Sequence, residues 1–195
     1  MTPDLEQRLR RLPTANIGDA MDRLYLMRSA IKPVWPGAKL VAPAYTVLTA
    51  AGDNKEIHAA LENASTGEVI VVAGGGYPDR ALIGELMAGR AKAAGLAGFV
   101  IDGAVRDAAD IGELGVPVFA TAVTPAGPYR NGPGLSQVPI AAGGVVVQPG
   151  DIIVGDDDGV AVLPLERVAE ILERAEQKFE AETRQRAQIG QAVAR

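Results

Sequence analysis

Glu85, Arg106 and Asp107 are the residues of this chain whose types and setting best suit chemistry. Glu85 stands in Ile83-Gly84-Glu85-Leu86-Met87, which reads as a strand end, a glycine and a helix start. The glycine permits close backbone approach, the first-turn amides are unpaired, and the helix dipole favours an anion there. Gly84, Glu85, Leu86 and Met87 could therefore hold a substrate carboxylate. Arg106 and Asp107 lie just beyond a predicted buried strand, where α/β proteins commonly build sites. Arg106 can grip a carboxylate through two parallel hydrogen bonds, and Asp107 is a hard oxygen ligand suited to Mg²⁺ or Mn²⁺. Because Mg²⁺ keeps several waters, Asp107 as direct ligand would suffice, with Glu85 and Asp110 touching those waters. A cation for an acid beside an anion for a metal suits a 2-oxo acid. Spacing alone leaves a plainer reading open: an ordinary strand-to-helix turn at Gly84, and a surface ion pair capping the next short helix.

Little else looks like chemistry. His58, the only histidine, falls on a predicted helix, where it reads as a surface or packing residue with no evident route to the site. Gly74-Gly75-Gly76 matches neither a dinucleotide-binding nor a P-loop pattern and reads as a structural turn. Asp156-Asp157-Asp158-Gly159 lacks the spacing and terminal Glu of an EF-hand and reads as a solvated hairpin turn. The absence of cysteine excludes disulfides, thiolate nucleophiles and Cys-bound zinc. A formal charge of −5 without a basic cluster argues against nucleic acid or an anionic membrane surface as partner. The apolar runs are too short to span a bilayer and the N-terminus shows no basic-then-apolar leader, so a cytoplasmic location is expected.

The elements that must position these residues follow from periodicity. The 195 residues, 48 % of them hydrophobic, can form one domain with a real core, with or without an appendage. The first 30 residues read as helical, with Thr14 as N-cap of a helix over Asn16–Leu24. Strands are predicted at Leu40–Ala50, Glu68–Ala73, Arg80–Ile83, Gly98–Asp102 and Val116–Ala122, and helices at Lys55–Ala64 and Gly84–Gly95. Val145–Val147, Ile152–Val154 and Val160–Leu163 read as an antiparallel ribbon. Mixed βα units followed by a meander predict α/β layers rather than a doubly wound nucleotide fold. Residues 1–164 are thus read as a single catalytic domain. Residues 165–195 are read as a C-terminal helix whose apolar side, Val168, Ile171, Leu172, Ala175 and Phe179, packs on a neighbouring subunit.

Several short motifs recur together in this order: Gly52-Asp53-Asn54, Gly74–Gly76, Gly84-Glu85-Leu86, Ile101-Asp102-Gly103-Ala104-Val105-Arg106-Asp107, Val147-Gln148-Pro149-Gly150-Asp151 and Asp156-Asp157-Asp158-Gly159-Val160. On them the chain resembles the RraA-like proteins, and within these the 4-hydroxy-4-methyl-2-oxoglutarate aldolases that also decarboxylate oxaloacetate. The resemblance spans residues 10 to 185 or so and is carried by the combination of motifs. It implies a class II pyruvate aldolase dependent on a divalent metal, Mg²⁺ or Mn²⁺, built as an α/β/β sandwich with mixed sheets. It also implies a homotrimer or homohexamer with sites between subunits and a small 2-oxo acid as substrate. Carried over, the amides of Gly84 to Met87 hold the substrate carboxylate, Arg106 contacts substrate oxygens and Asp107 coordinates the metal directly. The pattern departs at two places. The aldolases usually carry Asp where this chain has Glu85, and an acidic residue near the C-terminus is replaced by Gln191, with Glu180 or Glu182 as candidate substitutes. Two other functions stay compatible with the resemblance: a non-enzymatic regulator of ribonuclease E, and the same enolate chemistry on a sugar-derived 2-oxo acid.

Overall fold

The computed structural model describes residues 1–193, with side chains described to residue 190; the side chain of Gln191 lies outside the described residues. Two short helices, α1 (Pro3–Arg10) and α2 (Thr14–Ala20), precede β1 (Lys32–Pro33) and β2 (Leu40–Thr49). Next come α3 (Lys55–Asn63), β3 (Val69–Ile83), α4 (Glu85–Ala93), β4 (Gly98–Val105), α5 (Ala108–Leu114) and β5 (Val118–Val123). Strands β6 (Gly134–Ser136), β7 (Ile140–Ala142), β8 (Val145–Val147), β9 (Ile152–Asp156) and β10 (Gly159–Leu163) lead to a final helix, α6 (Val168–Val193).

The main sheet runs β1-β5-β4-β3-β2-β9-β10, with β2, β3, β4 and β5 mutually parallel and β9 and β10 antiparallel to their neighbours. Alternation along each strand divides its side chains between two layers. Ile70, Val72, Phe99 and Ile101 face α3, α4 and α5, while Val69, Val71, Ala73, Val100 and Phe119 face a second β layer containing Ile140, Val147, Ile153 and Val160. Strand β2 joins the two β layers: its first half pairs with β9 and its second half with β3 and β6. Gly155 lets the layers close, since a Cβ there would lie 2.7 Å from the Phe119 ring. The result is the expected α/β/β sandwich with a mixed sheet and a C-terminal helix.

Several local readings are corrected. Thr14 begins α2 rather than capping it, and the helix stops at Ala20, with Asp22, Arg23 and Tyr25 in the left-handed region. Residues 69–83 form one bulged strand instead of two strands around a glycine loop, because Gly75 and Gly76 at positive φ absorb the register shift between Ala73 and Tyr77. Only β9 and β10 form the predicted ribbon; Val145–Val147 pairs instead with Ile140–Ala142.

The stripe Val168, Ile171, Leu172 and Ala175 of α6, expected against a neighbouring subunit, is buried in its own chain. It packs on Leu9, Ile17 and Met21 of the N-terminal helices and their vicinity, and on Ile152, Val154 and Leu163 of β9 and β10. Arg8 clamps the pair by donating from Nε and Nη2 to the Glu176 carboxylate at 2.9 and 2.7 Å. Glu182 is also engaged locally, accepting from Asn16 Nδ2 at 3.0 Å and pairing with Lys178 and Arg186. No helix among the described residues is long and apolar enough to cross a membrane.

Candidate active site

Three neighbouring parallel strands end side by side, and the candidate residues stand directly after them. Ile83 of β3 is in register with Val105 of β4, and Val105 with Val123 of β5. Gly84 and Arg106 therefore emerge together at the carboxyl edge of the sheet, where open α/β sheets commonly bind ligands. The Arg106 amide donates to the Ile83 carbonyl at 3.0 Å, which ties the two strand ends together.

Gly84 is the N-cap of α4 and supplies no side-chain cap. Its φ of −144° is open to any residue, so the demand for glycine is steric. A Cβ at this position would overlap the Asp107 carboxylate and approach the Arg106 side chain to 2.9 Å. Asp107 occupies the N-cap position of α5 yet does not cap it; at φ 56° and ψ 41° its side chain turns back toward α4. Short polar residues tolerate this left-handed conformation better than others. Asp107 Oδ2 accepts from the Glu85 amide at 3.2 Å and lies 3.3 Å from Arg106 Nε. The ion pair read from the sequence thus forms, while the helix cap does not. The amides of Leu86 and Met87, in the first turn of α4, have no protein acceptor among the described residues.

A cavity of about 240 Å³ opens on this cluster, with Gly84, Leu86, Met87 and Arg106 in its wall. Arg90 and Arg130 also line it and, among the described residues, no carboxylate does, so its charge favours an anionic ligand. Glu85 and Asp107 adjoin it through Gly84 and Arg106 without forming its wall. Asp110 is exposed further along α5. No group of three or more Asp, Glu or His side chains able to hold a metal is found among the described residues. Glu85, Asp107 and Asp110 therefore do not form a closed cage. A second cavity of about 210 Å³, between α1–α2 and the β2–β9 pair, is far from these residues in the fold.

The opposite wall comes from the start of α3, where His58 reads from sequence as a surface or packing residue, and from the loop after β5. Asn54 and His58, one turn apart at the start of α3, line the same cavity as Arg106. The route from His58 to the site, not evident in sequence, is supplied by the packing of α3 beside β3 and α4. Asp53 brings in Pro128 and Arg130. Its buried Oδ2 accepts from the amides of Asn131 and Gly132 at 2.8 and 2.7 Å, and Oδ1 accepts from the Lys55 amide at 2.9 Å. The neighbouring Asn54 amide donates to the Tyr129 carbonyl, and the Tyr129 amide to the Gly52 carbonyl. Arg80 stacks 4.0 Å above the Tyr129 ring. Burial raises the Asp53 carboxyl, but the three amides and the Lys55 charge outweigh it and hold the group below its ordinary range.

That clamp carries a prediction. Asp53→Asn places an NH₂ or a weaker carbonyl acceptor against amides that need an anion, at a cost of about 1–3 kcal/mol. Hydrogen exchange should show lost protection at Asn131 and Gly132, the two amides that the carboxylate holds. Because the folded carboxyl is depressed, its contribution is complete above the unfolded value, about 3.9. In wild type it should be lost only as pH falls through the lower, folded value. Urea stability of the variant should therefore be less acid-dependent than that of wild type.

The Aldolase/RraA family profile matches residues 14–162. The chain belongs to the Aldolase/RraA family. A Halalkalibacterium halodurans protein named provisionally as a 4-hydroxy-4-methyl-2-oxoglutarate aldolase is 42 % identical, with 94 % of this chain and 88 % of that protein covered. Among solved structures, an uncharacterized Pseudomonas syringae pv. tomato protein superposes with a TM-score of 0.87 at 28 % identity, covering 98 % of this chain and 94 % of that one. Streptomyces coelicolor RraAS2, described as an unusual member of the RNase ES inhibitor RraA family, superposes with a TM-score of 0.84 at 32 % identity, covering 95 % and 97 %. Proteins similar to this chain thus include one named provisionally as an aldolase and one described as a member of a nuclease-inhibitor family, and the site must separate the two readings.

Proposed function

We propose that this protein is a carbon–carbon lyase that forms pyruvate from a 4-hydroxy-2-oxo acid, such as 4-hydroxy-4-methyl-2-oxoglutarate, and from oxaloacetate, with Mg²⁺ or Mn²⁺. The observation carrying this reading is the convergence of unpaired α4 amides, Arg106 and Asp107 beside one cationic cavity. The donor set fits a hydrated ion with one protein carboxylate. Asp107 Oδ1 has no protein partner among the described residues, and the remaining positions suit water and substrate oxygens. When bound, such an ion supplies Lewis acidity to the substrate carboxylate and 2-oxo oxygens.

The chain's own groups do the rest. The first-turn amides of α4 fix the substrate carboxylate, and Arg106 stabilises charge growing on the 2-oxo oxygen. In retro-aldol cleavage the C3–C4 bond breaks, its electron pair stays with the pyruvate enolate, and C4 becomes a carbonyl as its hydroxyl proton leaves. Glu85, with no ion-pair partner among the described residues and adjoining the cavity without lining it, would take that proton through a water. In oxaloacetate the same bond breaks and C4 leaves as CO₂, with no hydroxyl proton to remove. Protonation of the enolate at C3 completes pyruvate in both cases. A trimer or hexamer in which a neighbouring subunit covers the site belongs to the same reading.

The test is pyruvate release from both substrates with Mg²⁺ and after EDTA. EDTA-sensitive release from either supports the reading. A folded protein that releases none and binds a ribonuclease stoichiometrically would transfer the assignment to the regulator. Arg106→Ala should lower kcat/KM by about 10²–10³, as loss of an oxyanion donor does, while circular dichroism stays unchanged. A variant within a few-fold of wild type would remove Arg106 from the mechanism.

A further inference from the structure

Two residues lining the cavity each carry a buried polar atom with no partner among the described residues: Asn54 Oδ1 and His58 Nε2. Asn54 is 2 % exposed, and its Nδ2 donates to the Leu82 carbonyl at 3.0 Å, with the Met87 sulfur at 3.4 Å. The Leu82 carbonyl thereby fixes which end of the amide is nitrogen, leaving the oxygen as a free acceptor. His58 Nδ1 lies 3.1 Å from Arg90 Nη1. A guanidinium only donates, so Nδ1 accepts and the imidazole proton resides on Nε2. Burial, then the charges of Arg130 and Arg90, push His58 below its ordinary value against a smaller opposing pull from Glu62, which favours the neutral ring. His58 is consequently held as a donor and not as a base. Asn54 is the N-cap of α3 and His58 stands four residues on, about one turn away, so the two side chains are neighbours along one wall of the cavity.

A carboxylate would satisfy the donor but oppose the acceptor, and an ammonium the reverse. A hydroxyl satisfies both: its oxygen accepts from Nε2–H while its hydrogen points to Asn54 Oδ1. We propose that Asn54 and His58 form a hydroxyl-reading pair that positions hydroxylated substrates in this cavity and sets the preference between them and oxaloacetate. The inference rests on the function proposed above and assigns a specificity role within the same site.

The experiment uses the full chain with Mg²⁺ and the variants His58→Leu and His58→Gln, the latter restoring an N–H near the Nε2 position. The ratio of retro-aldol to decarboxylation kcat/KM should fall about 30-fold in His58→Leu and largely recover in His58→Gln. Calorimetric titration should show wild type preferring 4-hydroxy-2-oxoglutarate over 2-oxoglutarate by about tenfold, with the preference lost in His58→Leu. Equal decline of both rates, failure of His58→Gln to rescue, or a preference retained in His58→Leu would overturn the proposal. If wild type turns over neither substrate, the lyase reading fails, and the titration still decides on the pair. A wild type without preference would show that the two atoms hold only a structural water.

Discussion

Asp107→Ala is expected to reduce Mg²⁺-dependent pyruvate release by about 10³-fold or more, the largest effect in the molecule. Asp107 is the only proposed direct metal ligand, with Glu85 and Asp110 proposed to act through water. The substitution also removes the acceptor of the Glu85 amide and the partner of Arg106 Nε. Alanine at φ 56° carries a backbone cost of about 1–2 kcal/mol that aspartate tolerates better, so the loss of rate needs a control. Asp107→Asn supplies it. Asparagine accepts the left-handed conformation and keeps an oxygen for the Glu85 amide, but it lacks the charge. Its rate should also fall by about 10²-fold or more, with a midpoint for Mg²⁺ activation moved to higher concentration. Urea denaturation would separate stability from chemistry. An Asp107→Asn protein with wild-type Mg²⁺ dependence would remove the metal role from this residue.

Gly84→Ala should come next, at about 10²-fold loss in kcat/KM. Its backbone, at φ −144° and ψ −167°, accepts alanine without strain. The added methyl must displace the Asp107 carboxylate and the Arg106 side chain, both of which it would meet closely. Those side chains can swing away, so unfolding free energy should change by no more than about 1–3 kcal/mol. The expected signature is a damaged site in an intact fold. Steady-state kinetics beside a urea melt reads both. Near-normal turnover would show that the contact between Gly84 and Asp107 has no part in catalysis.

The sequence by itself carried the layers of the fold and one half of the candidate site. Val69 to Ala73, Gly98 to Ile101 and Val118 to Ala120 are continuous apolar runs, and a strand buried on both faces leaves that mark because neither face meets water. Gly84, Glu85, Arg106 and Asp107 were legible for a local reason: each follows a strand end directly, so the chain's short-range pattern locates it. Asn54 and His58 were not legible as site residues, because their role depends on where α3 docks against the 128–132 loop. Asp53 makes that docking, and a buried carboxylate gathering amides 78 and 79 residues away leaves no periodic trace. The apolar stripe of α6 was equally visible in sequence, but an amphipathic helix states only that one face needs cover. Leu9, Ile17 and Met21 supply it within the same chain, which a pattern of apolar spacing cannot specify. Backbone preference and hydrophobic period act between near neighbours and are written in order along the chain. The pairing of distant polar atoms is decided only when the layers close.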